Sequence, residues 1–457
     1  MALQEHVLHI ISSKGNQEQE SFYSKHVRHV AERRGEMVRR LPFVIWFKGS
    51  NLRPTGGHTK AASYRSFTDH ETHYGLEEAI KVARMEYANI RATHDFATAH
   101  NIDCASNPCN TVDIIYSASH LASAKKAVAR MQETMGIEDP AAAYKIHSAE
   151  EAHSRFLAPN ALAAITYEAG SISGYKFVVG ILKLCLARGL NLQTHTPVTR
   201  ITASPTSTTT HPLWSVTTPR GTITAPNVLL ATNGYTAHLL PQFQGTIVPL
   251  RGQVQAQRPG SALPNNGSLP HTYSFIYDSG YEYMITRPQS TATSPHIPNA
   301  RIMIIGGGLG TLPADGAEEF GITDDGVVHG GLSEYLTECT GRYFGENWGK
   351  DDSRGRVEKE WTGIMGTSAD GLPYVGQVEG MKGVWVCASF NGHGMVMCLK
   401  CAEAVVGMVL GDETWKEWFP KCCVLSEERL DRKFEGRLGM RAPGEAEFAG
   451  SEGCGRL

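Results

Sequence analysis

The chain has 457 residues, 41% of them hydrophobic, and a formal net charge of −3. This length is sufficient for two or three domains with buried cores. The near-neutral charge and the lack of a Lys/Arg stripe argue against a nucleic-acid partner. No apolar run reaches the length of a membrane span, and the first residues lack the basic segment and apolar core of a signal peptide. The ten cysteines are dispersed, without zinc spacing, which favours reduced thiols in a cytoplasmic protein.

The first 48 residues differ from the rest of the chain. The segment HVLHIIS predicts a short strand, residues 17–40 predict a highly charged helix, and PFVIWF predicts a second strand. This is the outline of a strand–helix–strand unit. Its turn, residues 12–16, contains one glycine, whereas a dinucleotide-binding loop needs three.

Hydrophobic periodicity predicts the remaining elements. Helices are expected at residues 75–99, 119–135, 173–188 and 395–410, with a further helix start at 148–151. Strands are expected at residues 110–117, 192–195, 214–218, 221–225, 227–231, 247–257, 275–287, 301–306 and 383–390. Helices and short strands at both ends, with long strands between them, indicate a discontinuous two-domain α/β protein. The charged tail from Asp412 is expected to pack loosely or fray.

The turn at residues 391–395, Asn-Gly-His-Gly-Met, lies between a predicted buried strand and a predicted buried helix. Such a turn directs free backbone N–H groups and the positive end of the helix towards one point. It therefore predicts a receptor for an anion, or for a cofactor that becomes negative. The alternative is a helix cap without a ligand.

Nine short segments occur in a fixed order along the chain. They are residues 56–58 (GGH), 192–198 (LQTHTPV), 227–235 (NVLLATNGY), 249–253 (PLRGQ), 283–288 (YMITRP), 304–308 (IIGGG), 361–363 (WTG), 370–376 (DGLPYVG) and 391–395 (NGHGM). Together they resemble the D-amino-acid-oxidase-type family of FAD-dependent oxidoreductases, which includes sarcosine, glycine and polyamine-type oxidases. The resemblance covers residues 49–411.

The resemblance implies an α/β fold with a discontinuous FAD/NAD(P)-binding Rossmann-like domain and an antiparallel β-sheet substrate domain. We expect the FAD-binding domain at residues 1–100, 166–245 and 355–411, the substrate domain at 101–165 and 246–354, and a C-terminal tail at 412–457. FAD is the expected cofactor, and the N-terminal unit is expected to be degenerate because it lacks the Gly-rich loop.

The resemblance also implies cofactor-binding residues. Gly56, Gly57 and His58 would lie along the isoalloxazine ring, where glycines permit close approach of the backbone. The backbone of Val198 would bind the adenine edge. The remaining candidates form a cofactor wall and the helix-start turn: Ala231, Asn233, Asn391, Gly392, His393, Gly394 and Met395. Each has an ordinary structural alternative, such as a core valine or a strand end.

Lys60, Tyr283 and Arg287 are the candidates for catalysis. Lys60 falls where related oxidases place a basic residue that favours anionic reduced flavin, although it could be a solvated loop lysine. An amino acid or amine needs an aromatic wall and a cation for its carboxylate, which suggests Tyr283 and Arg287. Tyr277, Trp361 and Arg251 are further candidates, and the tyrosines could equally be ordinary sheet residues. No metal site is expected.

The sequence therefore predicts an FAD-dependent enzyme that oxidises the C–N bond of a small amine or amino acid to an imine by hydride transfer to flavin. Two alternatives remain open. One is a non-catalytic family member that has lost FAD binding. The other is a dehydrogenase that binds NAD at residues 301–311, although the residues after Gly306–Gly310 are a poor helix start and favour a turn.

Overall fold

The structure, a computed structural model, describes residues 6–11, 43–48, 56–287 and 302–436. The strands are β1 His6–Ile11, β2 Phe43–Lys48, β3 His58–Thr59, β4 Asn107–Ile115, β5 Lys145–His147, β6 Ala163–Ser171, β7 Leu190–Thr194, β8 Arg200–Ala203, β9 Trp214–Thr218, β10 Gly221–Ala225, β11 Asn227–Leu230, β12 Ile247–Gln257, β13 Thr272–Tyr277, β14 Gly280–Thr286, β15 Met303–Gly307, β16 Val357–Ser368, β17 Tyr374–Gln377 and β18 Val384–Ala388. The helices are α1 Phe67–Tyr74, α2 Leu76–Ala99, α3 Ala118–Met135, α4 Ala149–Phe156, α5 Gly174–Ala187, α6 Thr236–Leu239, α7 Gly330–Phe344, α8 Cys398–Leu410, α9 Trp415–Trp418 and α10 Glu427–Asp431.

A six-stranded sheet has the order β17-β18-β11-β2-β1-β7. Its central strands β18, β11 and β2 are parallel. The carboxyl ends of parallel strands meet at one edge of a sheet, and ligands bind outside that edge. The segments that follow these three strands, which begin after Lys48, Leu230 and Ala388, therefore leave the sheet at the same edge. Apolar residues of α2 and α8 pack on this sheet.

The N-terminal strands are confirmed, but their relation differs from the prediction. A strand–helix–strand unit requires parallel strands, whereas β1 pairs antiparallel with β2, with His6 opposite Lys48 and Ile11 opposite Phe43. The carboxyl end of β1 consequently lies at the sheet edge opposite to the end of β2. The predicted turn at residues 12–16 and the predicted helix at 17–40 lie outside the described residues.

A second, larger sheet has the order β16-β12-β15-β14-β13-β4-β6-β3, and β5 pairs with β6. All its strand pairs are antiparallel except β13 with β4. One face packs on α4 and α7 through the largest apolar cluster. The other face carries Asp113, Ser274 and Tyr283, as the site shows. The domain division stays a prediction; residues 165 and 166, where one boundary was placed, both lie within β6.

Several element predictions need correction. The strand expected at 275–287 is a hairpin, β13 and β14, because Asp278-Ser279 forms a turn before Gly280. Strands β3, β5, β6, β8, β16 and β17 and helix α7 were not predicted. The helix expected from Met395 begins at Cys398, after a 3₁₀ turn at Gly394–Val396. The tail does not pack loosely up to residue 436, because Phe419 and Cys423 are buried in the core.

None of the described helices has the length and apolar composition needed to cross a membrane. Every cysteine within the described residues is a free thiol, which agrees with the expectation of reduced cysteines.

Candidate functional site

The Gly56-Gly57 loop lies directly against the larger sheet. A Cβ atom on Gly56 would lie 2.1 Å from Cε2 of Tyr283. Gly57 has φ +82°, and a Cβ atom there would lie 1.9 Å from the carbonyl oxygen of Ile172. The Ile172 N–H in turn donates to the Gly57 carbonyl at 2.8 Å. These approaches explain why both positions are glycine.

Tyr283 is held between two glycines. On the side of Gly306, which is its cross-strand partner on β15, a Cβ atom would lie 2.5 Å from the tyrosine hydroxyl. Its ring centroid lies 6.3 Å from that of His58. Tyr283 and Trp361 both pack against the apolar cluster that contains Ile285. Their role as an aromatic wall for a substrate stays a prediction.

The side chain of His58 is directed into the sheet. Its Nε2 atom lies 2.7 Å from Oγ1 of Thr272, and its buried Nδ1 atom has no hydrogen-bond partner within the described residues. Burial, with a contribution from the charge of Lys60, lowers the pKa of His58 well below its usual value. His58 is therefore a neutral imidazole.

Lys60 is not a solvated loop lysine. Its side chain is 7% exposed, and Nζ donates to Oδ1 of Asp113 at 3.0 Å and to Oγ of Ser274 at 2.6 Å. The hydroxyls of Tyr64 and Tyr167 donate to the other Asp113 oxygen, both at 2.8 Å. Burial lowers the pKa of Lys60, and the charge of Asp113 opposes this shift. Lys60 and Asp113 together form a buried pair with no net charge.

Strand register brings this pair beside Tyr283. Asp113 is the cross-strand partner of Ser274, and Ser274 is the partner of Tyr283. Paired residues present their side chains on the same face of a sheet. The loop that carries Lys60 therefore crosses the face that carries Asp113, Ser274 and Tyr283.

Arg65 was not among the residues expected from the sequence. Its guanidinium lies 4.3 Å above the ring centroid of Tyr281, and Nζ of Lys60 lies 5.6 Å from the same ring. The side chain of Arg65 is accessible to solvent. The sequence places this arginine eight residues after Gly57 and five residues after Lys60.

The turn at residues 391–395 has free backbone donors. Ser389, Asn391 and Gly392 have φ values of 65°, 51° and 74°. Within the part of the chain that the structure describes, the N–H groups of Gly392, Gly394 and Met395 have no acceptor. The 3₁₀ turn that replaces the first helical turn therefore leaves three N–H groups free, and their role as an anion receptor stays a prediction.

Asn233 and Asn391 use their side chains to shape the turn. Oδ1 of Asn233 accepts from the N–H groups of Ser389 and Phe390 at 3.0 and 3.1 Å. Oδ1 of Asn391 accepts from the N–H of Ser368 at 2.8 Å, and its Nδ2 donates to the Ser389 carbonyl at 2.9 Å. These two asparagines join the ends of β11, β16 and β18.

His393 joins the turn to α2. Its Nε2 lies 3.0 Å from the Ala61 carbonyl oxygen and 4.0 Å from Oε1 of Glu86. Burial, with the nearby charges of Lys60 and Arg65, lowers the pKa of His393 to about 4. The charge of Lys60 therefore lowers the pKa of His58 in the loop and of His393 in the turn. The hydroxyl of Ser63 donates to Oε2 of Glu86, and burial raises the pKa of Glu86 to about 8.

The other predicted site residues lie further from this centre. Val198 is buried in the apolar cluster with Val216, on the six-stranded sheet. Ala231 follows β11 and is half-buried, two residues before Asn233. Met395 is half-buried, and its carbonyl accepts from Nδ2 of Asn89 at 3.2 Å.

Arg287 follows β14, and its side chain is exposed. It is four residues beyond Tyr283, so alternation along the strand gives both side chains the same face. Arg251 is engaged elsewhere, because its guanidinium binds both Glu319 oxygens at 2.6 and 2.8 Å.

Tyr277 is on the opposite side of the larger sheet from Tyr283. Its hydroxyl donates to Glu282, which also accepts hydrogen bonds from Tyr335 and Tyr343. The proposed role of Tyr277 beside substrate is therefore wrong: side chains alternate between faces, and the β13–β14 hairpin gives Tyr277 the face of Glu282.

The segment considered for NAD has no nucleotide-binding geometry. Strand β15 lies between antiparallel neighbours, and Leu309–Thr311 forms a 3₁₀ turn in place of a helix start. This agrees with the interpretation of Gly306–Gly310 as a turn.

The parallel strands that end at a donor-rich turn, opposite a glycine loop, define a flavoprotein-type oxidoreductase fold. The model of the family described as DAO, FAD dependent oxidoreductase, matches residues 53–408, and the chain belongs to this family. FAD is the cofactor of the family. A comparison with curated proteins finds no match.

Solved structures show the same fold. Glycine oxidase from Geobacillus kaustophilus is 17% identical, with a TM-score of 0.61, and the match covers 83% of this chain and 89% of that one. L-amino acid deaminase from Proteus myxofaciens, in complex with anthranilate, is 13% identical with a TM-score of 0.60, covering 93% and 99%. Iminodiacetate oxidase from Chelativorans sp. BNC1 is 14% identical with a TM-score of 0.54, covering 73% and 80%.

The residues around the turn fit the ring half of FAD. The three free N–H groups suit its electron-rich edge, and the buried hydroxyls of Ser389 and Thr367 have no partner within the described residues. A Cβ atom on Gly392 would meet one atom within 4 Å, the Met365 sulfur at 3.6 Å, so space is open beside the turn. Gly56, Gly57, Asn391, Gly392 and Gly394 are the residues that would hold the ring.

Proposed function

We propose that the protein oxidises the C–N bond of a small amine or amino acid to an imine, with FAD as the hydride acceptor. The observation that carries the proposal is the position of the 391–395 turn, with its free N–H donors, beside the loop that carries Gly56, Gly57 and Lys60. His393 joins the two through the Ala61 carbonyl, and Nζ of Lys60 is buried against Asp113. When bound, FAD supplies the redox chemistry of the reaction.

The residues of the chain have separate roles in this proposal. The N–H groups of Gly392, Gly394 and Met395 would hold the electron-rich edge of the FAD ring, and such a helix-start field contributes about 0.3–1 kcal/mol. Lys60, held by Asp113 and Ser274, offers its remaining N–H on the sheet side of the site. Tyr283 and Arg287 form the substrate side. The amine itself must be neutral to release a hydride from carbon, so no side-chain nucleophile is required.

The proposed relation to amines is supported by the structural relatives, whose names include glycine oxidase, iminodiacetate oxidase and L-amino acid deaminase. These proteins are similar in fold alone, since their identities lie between 13% and 17%. Experiment has to identify the particular amine or amino acid and the electron acceptor.

The test is a spectrum of the purified protein followed by anaerobic titration. We expect visible flavin absorbance, released on denaturation, and bleaching of that absorbance by one member of a panel of amines and amino acids. Lys60→Met should slow the bleaching while the protein keeps its flavin. A protein with bound FAD that no amine or amino acid reduces would refute the proposal.

A non-catalytic role is the second candidate, and one observation favours it. The turn expected to approach the ADP half follows β1, and β1 ends at the sheet edge opposite to the site. The segment also has one glycine where three are needed. A colourless protein that does not bind added FAD would support this role. Binding of added FAD with a perturbed flavin spectrum would exclude the loss of cofactor binding.

A further inference from the structure

The carboxyl group of Glu86 lies between the 391–395 turn and a row of hydroxyl groups. Its Oε1 atom lies 4.0 Å from Nε2 of His393, and its Oε2 atom accepts a hydrogen bond from the hydroxyl of Ser63. The first distance is slightly longer than a hydrogen bond, so a small rotation of the imidazole is enough to close it. Glu86 is buried, and no lysine or arginine within the described residues pairs with it. It can therefore exchange a proton on both sides.

Burial sets the protonation of Glu86 and His393. Nε2 of His393 carries a proton, because it lies 3.0 Å from the Ala61 carbonyl oxygen, and Nδ1 is consequently the acceptor. Burial, with the charges of Lys60 and Arg65, lowers the pKa of His393 to about 4, so the imidazole does not keep an added proton. Burial raises the pKa of Glu86 to about 8, so the carboxyl group holds a proton at neutral pH. The other titratable groups near this pair are His70 on α1 and Tyr144 before β5.

Hydroxyl groups continue from Glu86 to a small cavity. The hydroxyl of Ser63 lies beside that of Tyr144. Both residues line a cavity with room for about one water molecule, and Tyr167 and Glu168 form part of the same wall. A buried water makes about three hydrogen bonds, and this wall is polar enough to supply them. Chains of hydroxyl groups and water transfer protons through their hydrogen bonds.

Glu168 connects this cavity with the surface. Its side chain is 38% exposed. The carboxylate accepts from the hydroxyl of Tyr87 and from the guanidinium of Arg91, both at 2.8 Å, which hold it at the wall of the cavity. The row of groups that begins at the turn therefore ends at a carboxylate in contact with bulk water.

We propose that Glu86 is the inner part of a proton path that leads from His393 at the turn to Glu168 at the surface. Ser63, Tyr144 and a water molecule in the cavity complete the path. This inference rests on the proposed function, in which a substrate ammonium group first loses one proton from nitrogen. The C–H bond then breaks, its electron pair leaves as hydride to FAD, and a C=N bond forms. The path carries the nitrogen proton to solvent, since Nδ1 of His393 accepts it and Glu86 receives the Nε2 proton as it gives its own to Ser63.

The first test follows the Glu86 proton in the FAD-bound protein without any substrate. A protonated carboxyl group has an infrared C=O band that a carboxylate lacks. We expect such a band to be missing in Glu86→Gln and, in the unmodified protein, to disappear as the pH rises through about 8. On transfer to D2O the band should shift at least about tenfold more slowly in Tyr144→Phe than in the unmodified protein, because the path is broken at that hydroxyl.

Tyr116→Phe is the matched control for this exchange. It removes a buried hydroxyl that has no partner in the described part of the chain, from a ring that stacks on Tyr343 at the opposite face of the larger sheet. Its infrared band should exchange as fast as that of the unmodified protein. Equally fast exchange in a Tyr144→Phe variant with unchanged unfolding temperature and flavin content would overturn the path, as would the absence of any band that depends on Glu86.

The second test measures anaerobic reduction of the bound flavin by a substrate. The rate in the unmodified protein should rise as the pH approaches about 8 and Glu86 ionises. Glu86→Gln should lower the rate about ten- to hundredfold and remove this rise, while the protein keeps its flavin. Glu86→Asp should recover part of the rate. Glu77→Gln, at an exposed position of α2, should behave like the unmodified protein.

The proposed reaction and the proton path fail in different ways. If no amine or amino acid reduces the flavin, the reaction is wrong, and the infrared exchange still decides whether the path exists. If the flavin is reduced, but Glu86→Gln and Tyr144→Phe keep the rate and the pH profile of the unmodified protein, the reaction stands and the path is wrong.

Discussion

Glu86 has surroundings unlike those of an ordinary carboxylate. It is 1% exposed, and it faces Ser63, the ring of Tyr144 and the imidazole of His393. No cation pairs with it closely, since His393 is kept neutral by burial and by the charges of Lys60 and Arg65. Burial therefore favours the protonated acid and raises its pKa from 4.5 to about 8.

This shift predicts a specific dependence of stability on pH. The folded chain keeps the Glu86 proton at pH values where the unfolded chain has lost it. The contribution of Glu86 to stability is therefore greatest below pH 4.5 and decreases as the pH rises to about 8. Glu86→Gln removes the titrating group, so its free energy of unfolding relative to the unmodified protein should rise by a few kcal/mol across this window. Denaturant unfolding at a series of pH values measures the difference.

Glu77→Gln is a suitable control on the same helix. The side chain of Glu77 is 82% exposed and pairs with Lys81 at the i,i+4 position. Its difference from the unmodified protein should stay constant over the same pH range. If the free-energy difference between Glu86→Gln and the unmodified protein is also constant over this pH range, folding does not raise the pKa of Glu86.

At the scale of elements, the short strand β3 anchors the loop that carries Lys60. His58 and Thr59 pair with Ser171 and Gly170 on β6, and Gly57 makes the first contact of this pairing. The position of Lys60 over the larger sheet therefore depends on the close approach of the Gly57 backbone to β6.

Gly57→Ala should disrupt this anchor. Its Cβ atom would lie 1.9 Å from a backbone oxygen that cannot rotate away, and its φ of +82° is unfavourable for alanine. We expect a loss of at least about 2 kcal/mol in unfolding free energy, together with weaker FAD binding. Gly411→Ala is the matched control, since Gly411 has φ +69° and ψ 22° in the left-handed helical region and open space around it. That variant should lose about 1 kcal/mol and keep its flavin. Equal losses in the two variants would mean that the backbone contact is unimportant.

At the scale of the whole molecule, the C-terminal segment holds part of the family motif in place. Arg429, on α10, binds both Asp370 oxygens at 2.7 and 3.0 Å and donates to the carbonyls of Leu372 and Pro373. These partners lie in the DGLPYVG segment, between β16 and β17. Residues 412–436 are thus a structural part of the protein.

Arg429→Leu should destabilise the molecule strongly. It leaves Asp370 as a buried carboxylate without a cation, and such a loss typically costs about 3–5 kcal/mol. Arg432→Leu removes a neighbouring arginine from an exposed pair with Glu428 and should cost less than about 1 kcal/mol. Unfolding midpoints of the two variants measure the contrast. Similar midpoints would show that the Arg429 contacts do not stabilise the fold.

The sequence determined the elements whose pattern is local. Strands β9, β10 and β12 occur with the predicted bounds, and the capping box at Ser148 and Glu151 marks the start of α4. Periodicity over 24 residues was sufficient for α2. It failed for the β13–β14 hairpin, because a two-residue turn between two strands of similar composition does not interrupt an apolar run.

Glu86 and Arg65 show why part of the site was missed. Glu86 is an acidic residue on the buried face of α2, and the helical pattern of the sequence shows this. The sequence does not show which residue contacts it. Its partner His393 is more than 300 residues away along the chain. Arg65 was missed because its partner, the ring of Tyr281, is more than 200 residues away along the chain.

The sequence by itself determined the family, the cofactor and the donor-rich turn at residues 391–395, because these depend on local patterns of glycine and on the order of short motifs. The tertiary structure decided which charges at the site cancel and which tyrosines lie on the Asp113 face of the larger sheet. It also decided at which sheet edge β1 ends. These depend on strand direction and on contacts between distant residues, and one strand reversal or one buried ion pair changes them without altering any local pattern.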